Sequence, residues 1–169
     1  MKGRIAIAAL SLSAAGLIGI VGQEGYTDVA VQPVPGDAWT NGFGSTANDA
    51  GKPLQPGEKT DPVRALRRAG RDVSTKESVL RRCISADLYQ HEYDAFVDLA
   101  YNVGAGAVCR SSIPAKLAAG DYESACRTIL DFKKVQERDC SLPENRRFCG
   151  GVWVRRQQMA HLCLTGERP

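Results

Sequence analysis

Residues 89–106 read YQHEYDAFVDLAYNVGAG, a run that contains the clearest helical pattern of the chain. Its large apolar side chains recur at helical spacing, at Tyr89, Tyr93, Phe96, Val97 and Ala100. Because that spacing places them on one face, the stretch predicts a buried core helix over Tyr89–Val103. Gly104 and Gly106 predict where this helix ends, since glycine readily takes the positive φ that closes many helices.

Further helices are predicted on both sides of the core helix. Apolar positions at helical spacing indicate helices over Ile113–Ala119, Tyr122–Phe132 and Val152–Leu164. Upstream, Thr60-Asp61-Pro62 combines capping side chains with a proline in the first turn. That combination predicts the start of a linking helix.

Residues 25–59 differ from the rest of the chain because they carry many glycines and prolines. Within them, Trp39–Gly44 alternates large and small residues, which is typical of a short strand pair. The sequence therefore predicts an α+β fold that is mainly α, with a small β lobe, a linking helix and a helical C-terminal lobe. The formal charge of +3 over 169 residues is too mild to indicate a nucleic-acid-binding protein.

The N-terminal run Ile5–Gly22 holds 18 residues without a charge and follows Lys2 and Arg4. As a helix it is just long enough to cross a bilayer core of about 30 Å. Ten of the 18 residues are small or hydroxylated, so such a helix would insert weakly and could leave the membrane again. We expect residues 1–22 to form an N-terminal anchor segment with its start in the cytoplasm, and residues 23–169 to form one domain.

A cleaved signal is the alternative for this run. Ser13-Ala14-Ala15 loosely fits the small-x-small pattern of signal peptidase sites, and cleavage there would remove residues 1–15. The remaining apolar region, Ile5–Leu12, is at the short end for a signal. The uncleaved anchor is therefore favoured.

All six cysteines lie beyond the anchor, which indicates disulfides in an oxidising compartment. A zinc site is disfavoured because the chain has no C-x-x-C motif and two histidines, His91 and His161, without a partner motif. Six cysteines allow 15 pairings, and sequence alone does not choose among them. Our expected pairs are Cys83–Cys109, Cys126–Cys163 and Cys140–Cys149.

A stripe of arginines lies on the linking helix at i, i+3, i+4 and i+7, formed by Arg64, Arg67, Arg68 and Arg71. The favoured interpretation is a solvated helix face. The alternative is a surface that attracts an anionic polymer, such as a cell wall, or a lipid surface.

Four ordered blocks of the chain are similar to one known family. Glu24-Gly25-Tyr26, then Gly36, then Thr40-x-Gly42-Phe43-Gly44 resembles the active-site signature of the phage lysozymes, glycoside hydrolase family 24. The stretch 90–106 is very similar to the central helix of that family, and residues 116–122 and 151–156 continue the match in order. The resemblance covers residues 24–163. The run before it looks like the anchor of the signal-anchor-release endolysins, a subset of the family.

The resemblance implies a lysozyme-like two-lobe fold and a muramidase activity. Such an enzyme hydrolyses the β-1,4 bond between N-acetylmuramic acid and N-acetylglucosamine in peptidoglycan glycan strands, and here it would serve host cell lysis. It needs no cofactor or metal, and a monomer is expected. The same resemblance implies that residues 5–22 hold the enzyme inactive at the host inner membrane until it is released to the periplasm.

The resemblance also assigns roles to individual residues. Glu24 matches the general acid of the family, and Thr40 matches a threonine whose hydroxyl helps to hold the attacking water. Ser45 stands where many members have histidine. The pair Arg155-Arg156 resembles a structural pair that packs against or pairs with carboxylates.

The second carboxylate of the family has no direct counterpart, because the usual counts from Glu24 and Thr40 reach Pro33 and Val34. Asp37 on the same loop is the favoured substitute. Asp28 is the second choice, expected one helical turn after Glu24, and the absence of any assisting carboxylate is the third possibility. The missing aspartate leaves open a catalytically impaired module that binds peptidoglycan without cutting it.

Overall fold

The computed structural model describes residues 3–33 and 36–168, so Lys2 and Val34 lie outside the described residues. The α-helices among these residues are α1 Ala14–Glu24, α2 Pro62–Cys83, α3 Gln90–Val103, α4 Ala105–Arg110, α5 Ile113–Ala118, α6 Tyr122–Arg127 and α7 Arg146–Thr165. The strands are β1 Ile5–Ala6, β2 Thr27–Val31, β3 Thr40–Gly42, β4 Asp87–Leu88, β5 Lys134–Val135 and β6 Arg138–Asp139. They form three two-stranded antiparallel sheets, β1–β4, β2–β3 and β5–β6.

The chain divides into two compact units. The β unit is Ala14–Thr75, and the helical unit joins the residues up to Ser13 with those from Lys76 onward. Helix α2 begins in the first and ends in the second, as expected of the linking helix. The predicted α+β, mainly helical fold is therefore confirmed. The predicted boundary between residues 1–22 and 23–169 concerns a membrane-held state and stays a prediction.

Helix α3 is the core of the helical unit, as the apolar spacing predicted. Tyr93, Phe96, Val97 and Ala100 are each 0% exposed. The helix ends at Gly104, whose φ is +87°. The predicted role of Gly106 is wrong, because Gly104 alone redirects the chain and α4 then begins at once.

Other helix boundaries differ from the prediction near their ends. Helix α6 stops at Arg127 and continues as a 3-10 turn over Thr128–Asp131. Helix α7 begins at Arg146, six residues before the predicted start, and Cys149 inside it has non-helical angles (φ −142°, ψ 19°). The last helix thus consists of two helical stretches on either side of Cys149.

Three disulfides cross-link the helical unit, and they are the expected pairs. The Cα–Cα distances are 5.6 Å for Cys83–Cys109, 5.5 Å for Cys126–Cys163 and 5.2 Å for Cys140–Cys149.

The start of the described chain is built into the helical unit. Strand β1 pairs with β4, with Ile5 opposite Leu88. The Arg4 guanidinium forms an ion pair with Glu92 at 2.7 Å and lies 3.5 Å from the centre of the Tyr122 ring. These contacts give the N-terminal residues an ion pair, a cation–π contact and a strand partner.

Two buried carboxylates accept hydrogen bonds from backbone N–H groups farther along this segment. The N–H of Leu12 donates to Glu77 at 2.7 Å, and that of Ser13 donates to Asp94 at 3.0 Å. Residues 5–22 thus form a strand, a 3-10 turn, an extended stretch and most of α1, rather than one helix. Among the residues that the structure describes, no helix has both the length and the apolar character needed to span a bilayer.

Candidate active site

The proposed catalytic residues lie on a β-hairpin of the β unit and on the helix before it. In the β2–β3 ladder, Thr27 is opposite Gly42 and Val31 is opposite Thr40, with an irregular register between these pairs. The predicted strand pair within Trp39–Gly44 is therefore partly wrong. Its first half is β3, but the partner strand lies upstream at Thr27–Val31.

A tight turn follows β3. The backbone N–H of Asn41 donates to the carbonyl of Ser45 at 3.2 Å, and the reverse bond has the same length. Gly42 and Gly44 take φ of +64° and +80° within this turn. A Cβ at Gly42 would lie 2.7 Å from the Ala65 Cβ, so glycine is needed for β3 to approach α2 this closely.

Glu24 is the last residue of α1, and it is half-buried. Gly25, with φ of +69°, ends the helix and directs the chain into β2. A Cβ at Gly44 would lie 3.1 Å from Glu24 Oε2. The carboxylate therefore lies against the turn that follows β3, and glycine at position 44 leaves it room.

Thr40 begins β3 and is half-buried. Its hydroxyl donates to the Val31 carbonyl at 3.5 Å, at the long limit for a hydrogen bond. A hydroxyl held this loosely can turn toward a water molecule or a substrate.

Asp37 is exposed in the loop that joins β2 to β3. Its carbonyl accepts a hydrogen bond from Gln32 Nε2 at 2.8 Å, which closes the loop across its base. This loop joins the end of β2 to the start of β3, whereas Glu24 comes just before the start of β2. Asp37 precedes Thr40 by three residues in the sequence, and its side chain is exposed to solvent.

Asp28 lies in β2, so the expectation that it follows Glu24 by one helical turn is wrong. The reason is Gly25, which terminates α1 before that turn can form. Burial, followed by the charges of Asp28 and Asp61, raises the pKa of Tyr26 above its ordinary value.

The arginine stripe on α2 is not simply a solvated face. Arg68 is 3% exposed, and its Nε donates to Asp49 at 2.6 Å. Arg64 contacts the same carboxylate at 2.7 Å, and Arg71 donates to the Asn48 carbonyl at 3.0 Å. Sequence reasoning detected the stripe through its spacing but missed Asp49, because no local pattern marked the loop it lies on.

Two other residues with implied roles also have their partners. The Ser45 hydroxyl donates to Asp72 at 2.6 Å, so this residue contacts a carboxylate. Arg155 pairs with Asp98 at 2.8 Å, while Arg156 donates to the Phe132 carbonyl at 2.9 Å. The predicted structural role of this arginine pair is consistent with these contacts.

Within residues 3–33 and 36–168, no group of three or more His, Cys, Asp or Glu side chains could hold a metal ion.

Comparisons with known proteins agree on one family. A sequence model of the family "Phage lysozyme" matches residues 21–156. The endolysin of Bacillus phage B103 is 28% identical over 159 residues, which cover 94% of this chain and 56% of that protein, so the chain spans little more than half of that relative. The endolysin of Acyrthosiphon pisum secondary endosymbiont phage 1 is 30% identical over 75% of this chain and 83% of that protein. The SAR-endolysin of Enterobacteria phage P21 is 25% identical over 98% and 91% of the two chains.

Solved structures show the same fold. The endolysin from Escherichia coli O157:H7 phage FAHEc1 superposes with a TM-score of 0.80 at 24% identity, covering 95% of this chain and 98% of that one. The active form of the P1 phage endolysin Lyz superposes with a TM-score of 0.73 at 22% identity, covering 98% and 97%.

Proposed function

This chain belongs to the phage lysozyme family and is a glycoside hydrolase of lysozyme type, and from that premise we propose that it is an endolysin. Its proposed reaction is hydrolysis of the β-1,4 bond between N-acetylmuramic acid and N-acetylglucosamine in peptidoglycan. The observation that carries the proposal is the carboxylate of Glu24, which lies against the Gly44 turn at the end of the strand that Thr40 begins.

The proposed mechanism needs two groups. Glu24 donates a proton to the glycosidic oxygen as the bond from that oxygen to the anomeric carbon breaks. A water molecule attacks the same carbon, positioned by the Thr40 hydroxyl. Asp37 is the proposed acceptor of the proton that this water loses, because it lies three residues before Thr40 and is accessible to solvent.

The test compares three carboxamide variants with the wild-type protein. Glu24→Gln should lose about a hundredfold or more in the release of reducing ends from peptidoglycan, since an amide cannot donate the proton. Asp37→Asn should lose at least about tenfold, and Asp28→Asn should stay near wild type. Each variant should keep the wild-type melting temperature.

The outcomes separate the assignments. More than about a tenth of wild-type activity in Glu24→Gln would remove this residue from the acid role. An inactive Asp28→Asn with an active Asp37→Asn would exchange the two aspartates. If both aspartate variants are active, Thr40 positions the water without a carboxylate.

A peptidoglycan-binding module is the second candidate function. The observation that favours it is Pro33, which stands at one of the two positions where the family aspartate is expected. A pulldown with insoluble peptidoglycan, together with a turbidity assay on chloroform-treated Gram-negative cells, distinguishes the two. Binding without loss of turbidity or new reducing ends would support the module.

We further propose that residues 5–22 hold the enzyme at the host inner membrane until release to the periplasm. The names of relatives from phages P21 and HP1, both SAR-endolysins, support this proposal. Glu24 follows the run by two residues, so insertion of the run would hold the acid at the membrane surface and keep the enzyme inactive.

Added leucines at exposed positions test the anchor without disturbing the released fold. Ala15 is exposed, and a Cβ at Gly22 would meet no atom within 4 Å. The double variant Ala15→Leu/Gly22→Leu should remain in the membrane fraction and delay lysis, because leucine favours insertion more than alanine or glycine. Ala15→Ser/Gly22→Ser is the matched control and should fractionate like wild type.

Two results would contradict the anchor. One is a leucine variant that is soluble and lyses on schedule. The other is wild-type protein that has lost residues 1–15, which would make the run an ordinary signal.

A further inference from the structure

The arginine stripe on α2 has no part in the function proposed so far. Its four members behave differently. Arg64, Arg68 and Arg71 contact residues of the loop that contains Asp49. Arg67 is exposed and makes no ion pair with any other described residue.

Arg68 is the buried member of this stripe, and its guanidinium joins two elements of the β unit. Nε donates to Asp49 Oδ1 at 2.6 Å, and Nη1 donates to Asn41 Oδ1 at 2.9 Å. The planar guanidinium holds several donors in a fixed fork, so the two acceptors are fixed relative to each other.

Asn41 is the residue of β3 that receives this contact, and its side chain is 0% exposed. Its Oδ1 accepts from Arg68, while its Nδ2 donates to the Glu58 carbonyl at 3.1 Å. Both ends of the amide are therefore held by neighbours within the same unit.

The position of Asn41 in the strand matters for its neighbour. Successive side chains in a strand point to opposite faces, so the Thr40 side chain faces away from the direction in which Asn41 is held. Fixing the Asn41 amide thus fixes the rotation of β3 about its axis. That rotation decides where the Thr40 hydroxyl lies relative to Glu24.

We infer that Arg68 is a positioning residue for the hydrolytic reaction, acting through Asn41 on the orientation of Thr40. This inference rests on the proposed function, because it takes Thr40 as the residue that holds the attacking water. Arg68 itself does not touch the substrate. The stripe then serves the geometry of the site rather than attraction to an anionic polymer.

The test compares two neighbouring arginines on one helix. Arg68→Gln and Arg67→Gln each remove one positive charge, but only the first breaks the contact with Asn41. With soluble peptidoglycan fragments, Arg68→Gln should lower kcat about tenfold and change KM less than twofold, since small displacements of a positioning group act mainly on the chemical step. Arg67→Gln should keep the wild-type kcat and KM.

Two further variants separate positioning from general destabilisation. Arg68→Lys keeps the charge but lacks the fork, so its kcat should fall nearly as far as that of Arg68→Gln. Lys133→Gln breaks the ion pair with Asp139 in the helical unit and should lower the melting temperature while keeping kcat. All assays are run at a temperature where each variant is folded.

Amide hydrogen exchange gives a readout that does not depend on activity. The amides of Asn41 and Ser45, which bond across the turn, should exchange faster in Arg68→Gln than in Arg67→Gln. Equal exchange and equal kcat in these two variants would overturn the inference.

Glu24→Gln is assayed in parallel so that the two failures can be told apart. If it is inactive while Arg68→Gln matches wild type, the positioning role alone fails. If the wild-type protein releases no reducing ends, the proposed function fails, and the positioning role fails with it.

Discussion

The helical unit and the β unit are stabilised by different means. The helical unit contains all three disulfides and most of the large buried apolar side chains. The β unit has no cysteine and buries few such side chains, among them Ile20, Leu54 and Val73. Charged hydrogen bonds occur in both units, but in the β unit, which has no disulfide, they hold the loops together, as in the 2.6 Å contact of Arg68 with Asp49.

The contrast between the two units shows where directional contacts matter most. Apolar burial is non-directional and suits a unit whose task is to stay folded. Hydrogen bonds to charged groups are short and directional, and they suit a unit that must hold Glu24 and Thr40 in a defined geometry. Three predictions follow from that contrast, each directed at one side of it.

The largest expected effect is on the stability of the helical unit. Replacing both Cys126 and Cys163 by alanine should lower the free energy of unfolding by about 4 kcal/mol, as chain entropy predicts for a loop of their separation. The pair Cys140 and Cys149, separated by nine residues, should cost about 2.5 kcal/mol when replaced in the same way. Urea unfolding curves measure both changes.

Amide exchange in the Cys126/Cys163 variant then tests the comparison of units. Protection should fall mainly in residues 76–168, with little change at Asn41 and Ser45 in the β unit. Equal loss in both units would mean that the disulfides stabilise the whole chain as one cooperative body, and the contrast between the units would fail.

A smaller effect, on activity, is expected in the β unit. Gly44→Ala adds a Cβ only 3.1 Å from Glu24 Oε2, so the carboxylate must shift. The hydrolysis rate should therefore fall at least about tenfold. Gly120→Ala in the helical unit is the matched control, because its φ of +76° resembles the +80° of Gly44 and its Cβ would meet no atom within 4 Å.

Both substitutions strain the backbone by about 1 kcal/mol, so their melting temperatures should fall together. Only Gly44→Ala should lose rate. If the two variants lose rate equally, backbone strain explains the loss, and the contact with Glu24 has no part in it.

The smallest effect is on the response to acid. Hydrogen bonds from Arg68 and then Arg64 lower the pKa of Asp49 to about 2. A folded pKa below the unfolded value of about 3.9 adds stability above that value, and this stability is lost as the pH falls from about 4 toward 2. Because Asp49 is partly exposed, the effect should be small and should shrink in high salt.

Melting temperatures recorded between pH 5 and pH 2 check this prediction. Asp49→Asn should be less stable than wild type at pH 5 and should lose less on acidification. Asp139→Asn is the counterpart in the helical unit, where hydrogen bonds from Ser141 and then Lys133 also lower the pKa to about 2. A wild-type slope in Asp49→Asn would show that the arginine contacts do not depend on its charge.

The features that the sequence predicted are those that depend on regular spacing. The core helix followed from Tyr93, Phe96 and Val97, because a helix places such residues on one face whatever surrounds it. The linking helix followed from Asp61, whose carboxylate accepts the N–H of Arg64 at 2.9 Å as a capping residue should. The three expected disulfide pairs are present, although the sequence alone did not choose among the 15 possible pairings.

The features that were missed depend on the path of loops. The two hydrogen bonds of the Arg68 guanidinium could not be predicted, because their acceptors lie 19 and 27 residues away on segments without a local pattern. Asp28 was placed on a helix because nothing in the letters E-G-Y shows that Gly25 takes a positive φ. For the same reason, the sequence gives Asp37 a place in the chain but not a direction for its carboxylate.

The docking of Arg4 and the segment after it restricts how this part of the gene can vary. Under the proposed release, residues 5–22 must be stable first in lipid and later packed against the protein. These two environments place opposite demands on polar groups. Arg4 would set the orientation in the membrane and afterwards occupy its place between Glu92 and Tyr122. A saturation library should therefore find fewer tolerated substitutions at Arg4 than at the exposed Arg67, although both are arginines outside the proposed active site.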